Sequence, residues 1–564
     1  MQIIKEPTRN FKYAFDSPFR QDVVTFCRAL KARVGFKQFG FYTGRWRFND
    51  LNMIQIIQAR FPETVVLANL QDDIERFEKD KVELEARLKR AEELKTATDS
   101  KLEIKGVTGG ELYPYQKIGV EFFINNDGKA ILADTMGLGK TLQTLAYITH
   151  TGQSKTLVIC PASSKYVWEK EVKKWTELKY CVIDSNTNLR AEVPMADIFI
   201  INYDILKKHF KTLMETKWDC IAMDEFHYIK NNSAQRTKMT KAIAGNVQRI
   251  LLLSGTPLLS RPAELFNGLN LMDPVKWSDY YSFTKRYCDG HAGRFGWEAK
   301  GVSNIEELQQ RIGQYFLRRN KDEVLTELPP KRFISVPVEL TPEHRREYDK
   351  VMKDFQKYLI DVKKKTTKEA KKSMQAEKLV RLGHLRQITT AGKYKSALEW
   401  VRDLVDSGQK VVVFSVYNEP LEMLKKEFGD EAVVLTGKIK KEERDAAIET
   451  FQNDEKTKIF LGGIKSAGVS ITLTASPNVL FIDFSWVPAD HDQAADRIHR
   501  IGQTKECTIY QMYAIETIDD YMQELLSKKK AIFNQLIEGL PDSTNVSDTL
   551  FKDLLEHIKN EKKT

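Results

Sequence analysis

The chain has 564 residues, of which 42% are hydrophobic and 29% charged, with a formal net charge of +10. That length exceeds one ordinary core and predicts three or four units of soluble, globular composition. No stretch is long and apolar enough to span a bilayer, residues 1–15 lack a signal-peptide core, and the positive balance mildly favours a polyanionic partner.

Six cysteines (Cys27, Cys160, Cys181, Cys220, Cys288 and Cys507) lie far apart with no C-x-x-C pair. The spacing predicts buried thiols in a reducing compartment, with neither a disulfide framework nor a zinc site.

Residues 1–66 read as a small N-terminal α+β unit. Asp22 to Arg33 has helical periodicity, with Val23, Phe26, Cys27 and Leu30 on one face. Phe36 to Phe48 then alternates aromatics with Lys, Arg and Gly, the pattern of a hairpin with one aromatic and one basic face. Aromatics so placed can stack on unpaired bases while the cations follow phosphates. A tiny domain also needs bulky residues for its core. For Phe36, Phe39 and Phe48 the core and the base-stacking readings stand side by side. The exposed, nucleic-acid-facing reading suits Arg45, Trp46 and Arg47. Residues 67–105 form a charged helical linker, in which Leu70, Ile74, Phe77, Leu84, Leu88 and Ala91 recur at heptad-like spacing.

From Leu112 onward short apolar runs alternate with helical segments. The predicted strands are Ile131–Ala133, Thr156–Cys160, Tyr180–Ile183, Asp197–Ile201, Trp218–Met223 and Arg249–Leu253. This is the signature of a mostly parallel sheet covered on both faces. The first of these strands runs into Asp134-Thr135-Met136-Gly137-Leu138-Gly139-Lys140-Thr141, followed by an amphipathic segment. Strand, glycine-rich turn and helix in that order make a phosphate-binding loop. Gly137 and Gly139 let backbone N–H groups turn inward, Lys140 faces the outer phosphates, and the Thr141 hydroxyl can ligate Mg²⁺. Asp134 occupies the place of the usual leading glycine.

Trp218 to Met223 ends in Asp224-Glu225-Phe226-His227. A carboxylate at the end of a buried strand beside such a loop can hold Mg²⁺ through water, and its neighbour can polarise an attacking water. Asp224 and Glu225 fit those two tasks. Ser254-Gly255-Thr256-Pro257 ends the next strand with small hydroxyl residues able to sense a γ-phosphate. After Pro262 the strands are expected to stop, and residues 263–395 read mainly as helices and loops, including the Lys-rich run from Lys363 to Lys372. A second alternation follows, with strands predicted at Lys410–Ser415, Ala432–Thr436, Lys458–Leu461, Val479–Phe484 and Thr508–Tyr513. Near its end stands Gln493-Ala494-Ala495-Asp496-Arg497-Ile498-His499-Arg500. As a helix this would put Arg497 and Arg500 on nearly one face, suited to a phosphate across a cleft.

The ordered series resembles the Swi/Snf-type DNA translocases of helicase superfamily 2. The matching segments are Leu112 to Val120, M-G-L-G-K-T at Met136 to Thr141, the D-E-x-H box at Asp224, and S-G-T-P at Ser254. To these are added Arg318-Arg319-Asn320-Lys321 with Val324, Leu328, Pro329 and Lys331, and D-R-x-H-R-I-G-Q at Asp496. Ser260 to Leu265 and Arg286 to Asp289 are similar to the annealing-helicase branch, and the N-terminal unit resembles a HARP-type domain. The family pattern is departed from in three places: Thr135, where an acid is usual; Phe226, in place of a small residue; and the segment Ser466 to Ser470.

The resemblance implies an α/β architecture of two RecA-like helicase domains with a helical insertion. It divides the chain into 1–66 (HARP-like), 67–105 (linker), 106–262 (ATPase domain 1), 263–392 (insertion and brace), 393–540 (domain 2) and 541–564 (helical tail). It implies a DNA-dependent ATPase that moves on duplex DNA and anneals or remodels forks; the alternatives are a strand-separating helicase and a motor subunit of a larger complex. ATP would be held by Gln116, the amides of Met136 to Gly139, Lys140, Thr141 and Gln493, with Mg²⁺ on Thr141 and Asp224. Arg497 and Arg500 would complete the site. DNA contacts would fall to Ser254, Thr256, Gly468 and Thr474, together with Arg45, Trp46 and Arg47. The expected partners are duplex, forked or junction DNA and a single-strand-binding protein, but no membrane. A monomer is expected, in the cytoplasm of a prokaryote or a virus-infected host or in a eukaryotic nucleus.

Overall fold

A computed structural model of the chain describes residues 1–527 apart from 9–10, 35–38, 190–193, 256–261, 294–295, 300, 363–367, 438–440, 465–470 and 525. The chain divides into two compact units, Met1–Arg90 and the residues from Ala91 onward.

The N-terminal unit is a five-stranded sheet in the spatial order Phe39–Tyr42, Arg45–Phe48, Tyr13–Asp16, Gln2–Lys5, Val65–Val66. All neighbours are antiparallel except the last pair. The predicted helix is present as Gln21–Val34, with Val23, Cys27 and Leu30 buried. The predicted hairpin is also present. Its turn is Thr43-Gly44, both at positive φ (49° and 78°), the backbone that a two-residue hairpin turn requires.

The facing of that hairpin corrects the sequence reading. Trp46 is only 8% exposed, its ring stacked on Phe39 at 5.5 Å, and Phe39 and Phe48 are fully buried. Trp46 and Phe48 lie two residues apart, so the pleat sends both to the same side, into the core with Tyr13, Phe15 and Phe61. Arg47, on the opposite face, is also buried. Its guanidinium donates to the Glu6 carbonyl (2.9 Å), the Glu6 carboxylate (2.8 Å) and the Tyr42 carbonyl (3.2 Å). Arg45 pairs with Glu6 and Asp16. The exposed aromatics of this hairpin are Phe41 and Tyr42. Phe36 lies outside the described residues.

The second unit holds two parallel sheets. The first has seven strands in the order Phe316–Leu317, Lys129–Leu132, Arg249–Leu253, Cys220–Asp224, Thr156–Cys160, Ile198–Asn202, Tyr180–Val182. Alternate residues of one strand enter different cores. Leu157 and Ile159 face one side, Val158 and Cys160 the other, as a sheet covered on both faces demands. The second sheet runs Lys331–Val338, Cys507–Ala514, Asn478–Phe481, Val411–Ser415, Ile459–Gly463, Ala432–Leu435. Both sheets match the alternations read from the sequence to within a few residues.

The strands do not stop after Pro262. Phe316–Leu317 pairs with Ile131 and Leu132 at the edge of the first sheet, and Lys331–Val338 pairs with Cys507–Ala514 at the edge of the second. One is two residues long, and the other is a partly exposed edge strand containing Lys331, Arg332 and Pro337, so neither shows as an apolar run. The chain thus crosses from one sheet to the other over residues 318–330. The helices Pro342–Val362 and Lys368–Asp406 follow this crossing.

Candidate nucleotide-binding site

The phosphate-loop segment connects strand Lys129–Leu132 to helix Lys140–Thr151. Gly137 and Gly139 have φ of 90° and 76°, a left-handed backbone open to glycine. A Cβ on Gly139 would lie 2.5 Å from the Gln116 amide nitrogen, and one on Gly255 would lie 2.6 Å from Met136 Cγ. The loop is therefore tightly wrapped as well as turned. Lys140 Nζ donates to the Asp134 carbonyl at 2.7 Å, and burial pushes its pKa down.

Asp134 is not a defective glycine. It is fully buried and takes both prongs of Arg319: Nε to Oδ1 at 3.0 Å and Nη2 to Oδ2 at 2.5 Å. Gln143 also donates to it, at 3.2 Å. Arg319 further donates to the Tyr115 carbonyl, and Arg318 donates to the Ala133 carbonyl at 2.9 Å. The arginines of the crossing segment thus anchor the root of the phosphate loop. Thr135, the departure from the family pattern, is held by the Arg319 carbonyl through its N–H at 3.1 Å.

Asp224 ends strand Cys220–Asp224, and Glu225 follows in a left-handed conformation at φ 47° that turns its carboxylate into the same cleft. Asp224 accepts a hydrogen bond from the Trp168 indole at 3.0 Å. Burial, with Glu225 alongside, lifts its pKa to about 6. Burial acts on Glu225 in the same direction, but His227, Lys140 and Ser254 outweigh it and hold that carboxyl below its ordinary value. The Ser254 hydroxyl donates to Glu225 at 2.7 Å, and His227 Nδ1 lies 3.2 Å from the same oxygen.

Lys140, Thr141, Asp224 and Glu225 line a cleft of about 850 Å³, and Arg444, Arg497 and Arg500 line it from the second sheet's side. Arg497 is 1% exposed, and its guanidinium lies 3.8 Å from Met136 Sδ, a residue 361 positions earlier. Arg500 donates to the Asp496 carbonyl (3.1 Å) and the Thr472 hydroxyl (3.3 Å). The two arginines do not share a helix, as their spacing had predicted. The helix Pro488–Ala495 ends before them, and Asp496 is drawn into an ion pair with Lys321 (3.1 Å) and Lys331 (3.0 Å). Both arginines reach the cleft from the turn that follows.

Other expected site residues are placed elsewhere. Gln116 is buried beside the loop and does not line the cleft. Its oxygen accepts from the Tyr113 N–H at 3.0 Å and its nitrogen donates to the Leu138 carbonyl at 3.4 Å. Leu138 is buried, and Gln493 is half-buried on its helix; neither lines the cleft. Ser254 is fully buried against Glu225 rather than facing outward. Thr474 accepts from the Gln452 amide at 3.3 Å. Thr256 and Gly468 lie outside the described residues. Trp168 and Arg444 escaped the sequence reading because nothing local marks them. Lys321 was visible only as one member of a resembling motif.

The residues present fit a Mg²⁺-nucleotide. Among the described residues, no group of three or more His, Cys, Asp or Glu is placed to hold a metal ion. A cation here would share its ligands among Thr141, Asp224 and phosphate oxygens, the arrangement Mg²⁺ favours.

An SNF2-related domain matches residues 115–393, and a helicase conserved C-terminal domain matches residues 394–502. The chain is similar to the DNA annealing helicase and endonuclease ZRANB3 of Homo sapiens, at 30% identity over 451 residues, covering 76% of this chain and 40% of that protein. It is also similar to the SWI/SNF-related matrix-associated actin-dependent regulator of chromatin subfamily A-like protein 1 homolog of Caenorhabditis elegans, at 32% identity, covering 75% and 62%. Among solved structures, the Sulfolobus solfataricus SWI2/SNF2 ATPase core in complex with dsDNA matches at 28% identity and a TM-score of 0.39, covering 78% of this chain and 95% of that one. The chain spans about half the length of the curated relatives it matches. With both domains present in order and its motifs in place, the chain belongs to the SNF2-related family of helicase-like ATPases.

Proposed function

We propose that the chain is an ATP-dependent DNA translocase that moves on duplex DNA and anneals or remodels forked DNA, hydrolysing ATP to ADP and phosphate. One observation carries the reading. Lys140, Asp224 and Glu225 from one sheet share a single cleft with Arg497 and Arg500 from the other. A site divided between two lobes makes hydrolysis depend on their approach, and that dependence turns chemistry into stepwise motion.

In this reading Lys140 and the amides of Met136 to Gly139 bind the phosphates. Thr141 and Asp224 would hold Mg²⁺, which would neutralise charge on the phosphate oxygens. Glu225, oriented by Ser254 and His227, aligns the attacking water, and Arg497 and Arg500 stabilise charge building on the transferred phosphoryl group. Three curated relatives bear the name DNA annealing helicase and endonuclease, which supports the re-pairing of strands over their separation in this reading.

The test is ATP hydrolysis by the full chain with no DNA, single strands, plain duplex and forked duplex. Stimulation by duplex or fork is expected, together with annealing of bubble DNA. No stimulation by any DNA would overturn the reading, and robust displacement of a tailed strand would favour the helicase alternative.

A further inference from the structure

We infer that Lys321 is a positioning residue for the cleft: it ties the turn that carries Arg497 and Arg500 to the phosphate loop. Lys321 stands on the segment that crosses from the first sheet to the second. Its helix is capped by Asn320 and Glu323, so its Cα is fixed from its own side. The residue is 5% exposed. Its ammonium donates to the His499 carbonyl at 2.7 Å and pairs with Asp496 at 3.1 Å. These two contacts bracket Arg497. Arg500, immediately after His499, returns a hydrogen bond to the Asp496 carbonyl. The same side chain lies against the loop. A Cβ built on Gly137 would stand 3.3 Å from Lys321 Cε and 3.4 Å from Arg500 Cγ. Gly137 therefore leaves the space in which Lys321 and Arg500 meet the phosphate loop.

Lys331 supplies a built-in comparison. It makes an equal ion pair with Asp496, at 3.0 Å, but lies on the second sheet's own edge strand. If Asp496 only needed a counter-ion, Lys331 would serve as well. Lys321 is set apart because it contacts both halves of the cleft, and arginines that act across a cleft are sensitive to small displacements.

The inference rests on the ATPase reading, and its test separates the two. Steady-state ATP hydrolysis on duplex DNA is measured for the wild-type chain, Lys321→Met and Lys331→Met, with thermal denaturation of each. Lys321→Met is expected to lower kcat by about 10- to 100-fold while KM for ATP moves less than about threefold. Lys331→Met should give a clearly smaller loss of kcat. Unchanged kcat in Lys321→Met, or equal losses in the two variants, would overturn the inference. If Lys321→Met fails to fold, Lys321→Gln, whose amide is one bond too short to make the bond that Lys321 makes to the His499 carbonyl, is held to the same criterion. A wild-type chain that hydrolyses no ATP with DNA sinks both readings, whereas a fully active Lys321 variant beside an active wild type sinks this one alone.

Discussion

Arg319 closes a two-pronged ion pair on Asp134, 185 residues earlier in the chain, with both side chains buried. The pair explains why an acid stands where a phosphate loop usually begins with glycine. Asp134→Gly would restore the conventional motif and should nevertheless damage the protein. It would leave the Arg319 guanidinium buried without its carboxylate, a loss of about 3–5 kcal/mol. Chemical denaturation should show a lower midpoint for Asp134→Gly than for wild type, and an equal or higher midpoint would refute the anchoring role.

Among the described residues, Lys140 makes no ion pair with an acid. Its ammonium rests on the Asp134 carbonyl, a bond it can exchange for phosphate oxygens. Lys140→Ala should therefore leave fold and DNA binding intact while ATP turnover falls by at least about 100-fold. Parallel filter-binding and phosphate-release assays check this. Substantial remaining hydrolysis would remove the phosphate-loop assignment.

Trp46 belongs to the core of the N-terminal unit, stacked on Phe39 with its edge toward Phe41. Trp46→Ala should cost about 3–5 kcal/mol of that unit's stability, as large-to-small changes in cores do. Limited proteolysis should then cut within residues 1–90 first. Phe41→Ala, at an exposed position, should leave proteolysis unchanged. If Trp46→Ala proved as resistant as wild type, Trp46 would not be a core residue of the unit.

These cases show which features a sequence makes visible. The phosphate loop and the Asp224-Glu225 pair were legible because their chemistry is contiguous: a strand, a turn and the next element lie within a dozen residues. The inner strands were legible as apolar runs. Trp46 was misread because period-two alternation defines two faces but does not say which one is covered; helices Gln21–Val34 and Asn52–Arg60 decide that. The partner of Asp134 was invisible because it is a tertiary fact. The A-A-D-R-I-H-R run kept a helical rhythm, yet the chain leaves the helix at Asp496, where two distant lysines hold it.

Asp496 yields a prediction with a defined pH window. Burial alone would raise its pKa, but Lys331 and Lys321 outweigh that effect and hold it below the ordinary carboxylate range. A depressed carboxyl contributes stability that is present above its unfolded pKa of about 3.9 and is lost as pH falls through the folded value. Asp496→Asn removes that contribution and leaves two buried ammonium groups without their shared counter-ion. Its unfolding midpoint should lie below that of wild type at about pH 5, where the two buried lysines are charged without a partner, and the margin should shrink only below about pH 4. Denaturation curves of both proteins across that range decide the matter. A margin already shrinking at about pH 5 would mean that the lysines do not hold Asp496 in its charged form.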